Sequence, residues 1–207
     1  MPGLTVTKID PAHEVREYTE EVLAKAGKHL DAAGLAMLEE DLRSPCTEEI
    51  AVFRAFARTV DEGKGGFVVL DTAPTGHTIL LLDAAEAFHR EVERTQGDMP
   101  ESVKELLPRL RDKNFTHVFV VTLPEATPVH EAERLQNDLR RAGIEPYAWV
   151  INQSLLASGT CNPVLMERGA YELPYIKAVS DRLSTRCALI AWVHQPPIGR
   201  VGLSQLV

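Results

Sequence analysis

Asp71 closes the apolar run 67–70, and Thr72, Thr75, Gly76 and His77 follow it within one short polar stretch. A carboxylate fixed just outside a sheet suits a hard cation such as Mg²⁺, which takes oxygen ligands and bridges phosphates. Pro74 and Gly76 shape a tight loop whose backbone N–H groups can lie beside a phosphate. The same acid also fits a plainer role, starting a turn or capping a helix. Asn152 ends another apolar run, and its amide offers both a donor and an acceptor to the edge of a base; a turn asparagine is the alternative. Gln195, Pro196 and Pro197 form a stiff segment near the C-terminus that serves equally as a chain exit. Ser44, Cys46 and His77 supply a hydroxyl, a thiol and an imidazole. A lone cysteine is otherwise a small buried apolar residue.

The rest of the composition narrows the partners. The chain has 207 residues, 44% hydrophobic and 25% charged, which suits one sizeable α/β domain. A net charge of −8 and a pI near 5.4 argue against nucleic acid and against an anionic membrane surface, both of which recruit excess Lys and Arg. Cys46, Cys161 and Cys187 are too few and too far apart for a disulfide framework, and no signal peptide is recognised, so a cytoplasmic setting is expected. No apolar run approaches the roughly 20 residues needed to span a bilayer, so no direct membrane insertion is expected.

The elements that must position these residues follow from pattern. Residues 4–10 read as a short strand running into Asp10-Pro11, a helix start. Residues 11–63 read as a helical insert with a break at Gly34, and with Ser44-Pro45 starting a helix that buries Ile50, Phe53, Ala57 and Val60. Strands are expected at 66–71, 116–123, 145–152 and 188–193, and helices at 76–89, 100–112, 128–142 and 162–185. Nearly continuous apolar strands fit a parallel sheet covered on both faces by helices, with ligands gathered at the carboxyl ends of the strands.

Asp71-Thr-Ala-Pro-Thr-Gly-His77 resembles the signature of the ArsA arsenical-pump ATPases and of the related ATPases that target tail-anchored membrane proteins. The likeness continues through Arg43-Ser-Pro-Cys-Thr-Glu-Glu-Ile50, Val121-Thr-Leu-Pro-Glu-Ala-Thr-Pro128, Val150-Ile-Asn-Gln153, and Gln195-Pro-Pro197 with Val201-Gly202. It implies a partial P-loop NTPase fold. Asp71 would stand on the Mg²⁺ side of ATP or ADP, with Thr72, Thr75 and Gly76 in the switch loop. Asn152, Gln195, Pro196 and Pro197 would contact adenine, and Ser44, Cys46 and His77 would take arsenite or antimonite between the two halves of the parent ATPase. The arsenical branch is favoured: Cys161-Asn-Pro-Val164 lacks the second cysteine of a zinc-binding pair, and residues 78–112 contain only Met99 where a client-binding helix would be rich in methionine.

Gly63-Lys-Gly-Gly66 is a decoy for the missing P-loop, because residues 67–71 follow it rather than Gly-Lys-Ser/Thr and a helix. Residues 1–207 are therefore expected to form the C-terminal part of the second ATPase domain, with 11–63 the helical insert and 66–207 the switch and adenine-side portion. Hydrolysis by this chain alone is not expected. The expected partners are the N-terminal half of the parent and an arsenite-export membrane channel, which would make the protein peripheral to the inner membrane. Open sheet edges favour self-association of the isolated chain. The alternatives are a targeting ATPase for tail-anchored proteins and a regulatory module without a P-loop.

Overall fold

The computed structural model describes residues 3–72, 101–204 and 206. They fall into two compact units, Met1–Arg109 and Leu110–Val207.

The described part of the first unit is helical. Helix α1 (Pro11–Ala26) starts as its sequence requires: Pro11 needs no N–H partner in the first turn, and Asp10 Oδ1 accepts from Ala12 N–H at 3.1 Å. The short strand expected before it, residues 4–10, forms no ladder. The break after α1 lies at Gly27 to Asp31 and not at Gly34, whose N–H is instead capped by Asp31 Oδ1 at 2.8 Å inside α2 (Ala32–Asp41). Helix α3 (Pro45–Glu62) buries Phe53, Ala57 and Val60 as its spacing predicts, along with Thr47, Ala51 and Ala55, and packs on α1. Helix α4 (Glu101–Arg111) buries Val103 and Leu106.

Ion pairs link α1 to α3. Glu21 accepts from Lys25 Nζ at 2.6 Å and from Arg54 Nη2 at 2.7 Å, and these hydrogen-bonded cations hold its carboxyl below the usual range. A lowered folded value means that the contribution is present at neutral pH and is lost as pH falls through that value. Glu21→Gln is expected to cost about 0.5–1 kcal/mol at pH 7 in urea unfolding of this unit, since the carboxylate stays partly open to solvent. The difference from wild type should shrink toward zero on acidification.

The second unit is α/β, as expected. Strands β1 (Phe119–Thr122), β2 (Ala148–Ser154) and β3 (Cys187–Ala191) form a parallel sheet in the order β1-β2-β3. Helix α5 (Ala126–Arg141) connects β1 to β2. Helices α6 (Pro163–Ala170) and α7 (Leu173–Ala178), followed by a π-helical turn Val179–Leu183, connect β2 to β3. The single helix expected over 162–185 is thus interrupted at Tyr171 and Glu172, just before Pro174. Helix α8 (Gly199–Leu203) closes the chain.

One sheet face is a core: Val120, Trp149 and Ile151 are almost wholly buried, as are Val129, Ala132 and Leu139 of α5. The core is crossed by one polar bridge. Trp149 Nε1–H donates to Gln136 Oε1 at 2.8 Å, and Gln136 Nε2 donates to Leu183 O at 3.0 Å.

One expectation about the sheet is corrected. Residues 66–71 form no strand: Phe67 is 88% and Val69 80% exposed, and the run has no ladder partner among the described residues. On the other face of β1, Phe119 and Val121 are exposed. An apolar run becomes a strand only where a neighbour completes its backbone hydrogen bonds.

Candidate functional site

The carboxyl ends of the strands in the second unit carry the most constrained backbone of the described residues. Ile151 lies opposite Leu189 and Ser154 opposite Ala191, so β2 takes three steps where β3 takes two. The extra residue makes a β-bulge, a device that re-aims side chains at a sheet rim. Gln153 in the bulge has φ 57°, the only described non-glycine residue in the left-handed region. That conformation costs about 1–2 kcal/mol and persists only where its surroundings fix it. Asn152, half-buried beside it, accepts the Gln153 N–H on Oδ1 at 3.0 Å. This contact sets the amide's orientation and leaves its NH2 group as a donor for a partner outside the strand.

The bulge is braced from behind by a buried carboxylate. Glu172 is 8% exposed; its Oε2 accepts from Ser154 Oγ–H at 2.7 Å and from Leu156 N–H at 3.2 Å, and its Oε1 accepts from Leu155 N–H at 3.0 Å. Ser154 Oγ in turn accepts from Ala157 N–H at 3.1 Å. Helix α6 presses on the same backbone through Gly169, where a Cβ would lie 2.9 Å from Leu156 N.

The exit of β3 is tied to the same point. Trp192 N–H donates to Ser154 O at 2.8 Å, so the segment leading to Gln195, Pro196 and Pro197 leaves the sheet beside the bulge. Gln195 and Pro196 are exposed and Pro197 is half-buried. The chain then folds back as α8, with Gly202 so close to Pro197 that a Cβ would meet its carbonyl carbon at 2.8 Å. The structure therefore brings Asn152 and the Gln195 to Pro197 segment to one edge of one sheet, presenting an amide donor and an exposed stiff loop.

The remaining candidates belong to the first unit. Asp71 and Thr72 are exposed at the end of the described run. Ser44 is the N-cap of α3, with Oγ 3.4 Å from Thr47 Oγ1, and Cys46 is exposed in the first turn of that helix. Thr75, Gly76 and His77 lie outside the described residues. Among the described residues no group of His, Cys, Asp or Glu is arranged to hold a metal ion, and no helix is long and apolar enough to cross a membrane.

Glu172 and Gly169 escape a reading of the sequence alone. Glu172 precedes Leu173-Pro174 like any acid at a helix start, and its burial depends on Ser154, far back along the chain. The only local signal is the glycine inside α6, which marks a close approach.

The family model for anion-transporting ATPases matches residues 2–98 and 89–189. An arsenical pump-driving ATPase of Escherichia coli is 48% identical over 207 residues, covering 100% of this chain and 35% of that protein. A second one from the same species is 50% identical over 204 residues, covering 99% and 35%. An ATPase ASNA1 homolog of Paramecium tetraurelia is 27% identical over 166 residues, covering 63% and 51%. The chain spans about a third of the length of the two Escherichia coli relatives.

Proposed function

Because the chain belongs to the anion-transporting ATPase family, we propose that it is the switch and adenine-side portion of the second nucleotide-binding domain of an arsenical pump-driving ATPase. In this reading the complete protein hydrolyses ATP to drive arsenite or antimonite out through a membrane channel. The observation that carries it is the edge of the parallel sheet, where Asn152 in the β2 bulge stands beside the exit that bears Gln195, Pro196 and Pro197. A base held there would meet the Asn152 amide on its edge and the stiff proline segment on its flank. For the phosphate and Mg²⁺ end of the nucleotide the residues proposed are Asp71, Thr72, Thr75 and Gly76, the carboxylate of Asp71 serving Mg²⁺. The ion's contribution when bound is to neutralise charge on the phosphate oxygens. The residues that would cradle the phosphates themselves belong to the other portion of the parent, so this chain alone is proposed to lack turnover.

Arsenite or antimonite enters this reading both as the transported substrate and as an allosteric metalloid whose binding across the two halves of the parent raises ATP hydrolysis. Cys46 supplies a solvent-reachable thiol at the start of α3, with Ser44 one turn boundary away; His77 is the proposed third donor. The protein would act on the cytoplasmic side, peripheral to the inner membrane through the channel.

The test is ATP turnover by the complete ATPase with and without antimonite. The expected result is Mg²⁺-dependent hydrolysis that antimonite raises several-fold, with the stimulation ratio falling toward one in Cys46→Ser and in His77→Ala. Unaltered stimulation in both variants would remove the metalloid assignment, and turnover insensitive to antimonite would remove the arsenical one. The second reading, an ATPase targeting tail-anchored proteins, takes its support from Asp71-Thr-Ala-Pro-Thr-Gly-His77, whose resemblance extends to those ATPases as well. Apolar client segments co-purifying with the complete protein would favour it.

A further inference from the structure

The geometry points to Glu172 as a positioning residue for nucleotide recognition, acting through the β2 bulge with Gly169 as its steric counterpart. The inference rests on the proposed adenine site at Asn152 and adds the residues that aim it.

A strained bulge does not hold itself. Gln153 occupies the left-handed region, and the direction of the neighbouring Asn152 amide depends on the Gln153 N–H it accepts. What fixes Gln153 is the backbone that follows it. Ser154 is fully buried, its hydroxyl donates to Glu172, and the next two N–H groups, of Leu155 and Leu156, also point at that one carboxylate. A carboxylate is an acceptor at all its lone pairs, so it can take these donors together; a carboxamide cannot, because one of its ends is itself a donor. Gly169 gives the same backbone no room to retreat toward α6. Two independent constraints, one electrostatic and one steric, therefore converge on residues 154–156. The Trp192 N–H to Ser154 O bond passes the constraint to the β3 exit and its Gln195 loop. A buried glutamate serving only stability would not need to gather donors at the one irregular point of the sheet.

The test uses the complete ATPase with ATP and with ITP, whose base lacks the exocyclic amine of adenine. Glu172→Gln and Gly169→Ala are each expected to raise KM for ATP roughly tenfold, as loss of one charge-assisted bond would. Each should lower kcat far less and narrow the ITP-to-ATP ratio of KM values, a signature of lost base recognition. Leu139→Ala, a truncation near the end of α5 that leads into β2, serves as the destabilised control and should leave that ratio as in wild type. Asn152→Ala is run beside them. If it narrows the ratio while folded Glu172→Gln and Gly169→Ala do not, the positioning role is overturned and the adenine site stands. An unchanged ratio in Asn152→Ala removes the adenine site and the positioning role with it. A ratio narrowed equally in Leu139→Ala reduces Glu172 to a stability role and overturns the inference.

Discussion

Asp71→Asn in the complete ATPase is expected to lower Mg²⁺-dependent kcat by roughly 10²–10³-fold, the usual scale for losing one preorganised charge at a site of phosphoryl transfer. The substitution keeps size, removes the negative charge and turns one acceptor oxygen into an NH2 donor, so the loss reports the carboxylate's role as a cation ligand. Asp71 is exposed at the end of the described run, and a surface acid of no special role could be neutralised without consequence. That contrast makes the experiment decisive. Turnover is measured across Mg²⁺ concentrations: weakened cation binding shows as partial recovery at high Mg²⁺, whereas KM for ATP at saturating Mg²⁺ moves less. A variant within threefold of wild type at every Mg²⁺ concentration would return Asp71 to the role of a turn residue.

Gln136→Leu is expected to destabilise the second unit by about 2–5 kcal/mol, the largest effect on stability foreseen for a single surface-neutral change. Gln136 is 2% exposed, and its amide serves the Trp149 indole at one end and the Leu183 carbonyl at the other. Leucine fits the volume but leaves the buried indole N–H with no acceptor and the carbonyl without its donor. Each orphaned group costs about 1–3 kcal/mol. The pair matters because it ties three elements together at one buried point: α5, β2 and the π-helical turn. Adding Trp149→Phe removes the orphaned donor, so the double variant should lose less than the sum of the two single changes. Urea unfolding followed by circular dichroism checks both. Strict additivity, or a loss below about 1 kcal/mol for Gln136→Leu, would mean that the bridge is incidental.

The resemblance to the ArsA family was legible from the motifs, and so were most elements of the second unit. Helix starts were the clearest: Asp10-Pro11 and Ser44-Pro45 stand where their helices begin, because a first-turn proline has no N–H left to satisfy, and at α1 Asp10 also accepts the Ala12 N–H. Asn162-Pro163 starts α6 in the same way, with Asn162 Oδ1 accepting from Val164 and Leu165 N–H. Strand positions were recovered to within a few residues at β1, β2 and β3. The failure at residues 66–71 has the opposite cause. Phe67 to Leu70 carry every local mark of a strand, yet a strand exists only through a ladder, and no local mark names the partner.

The amino-acid sequence by itself marked which chemistry-bearing residues could stand at sheet ends and helix starts: Asn152 and the Gln195 to Pro197 segment at the former, Ser44 and Cys46 at the latter. Those positions follow from caps, turns and apolar runs, whose hydrogen bonds close over a few residues. Only the tertiary structure decided how the second unit aims its candidates. The bulge, the left-handed Gln153, the buried Glu172 and the Trp192 tether arise where residues 151–156, 169–172 and 189–192 meet. Their energies come from desolvation and from backbone groups left over by an irregular ladder, quantities that exist only once distant parts of the chain are packed together.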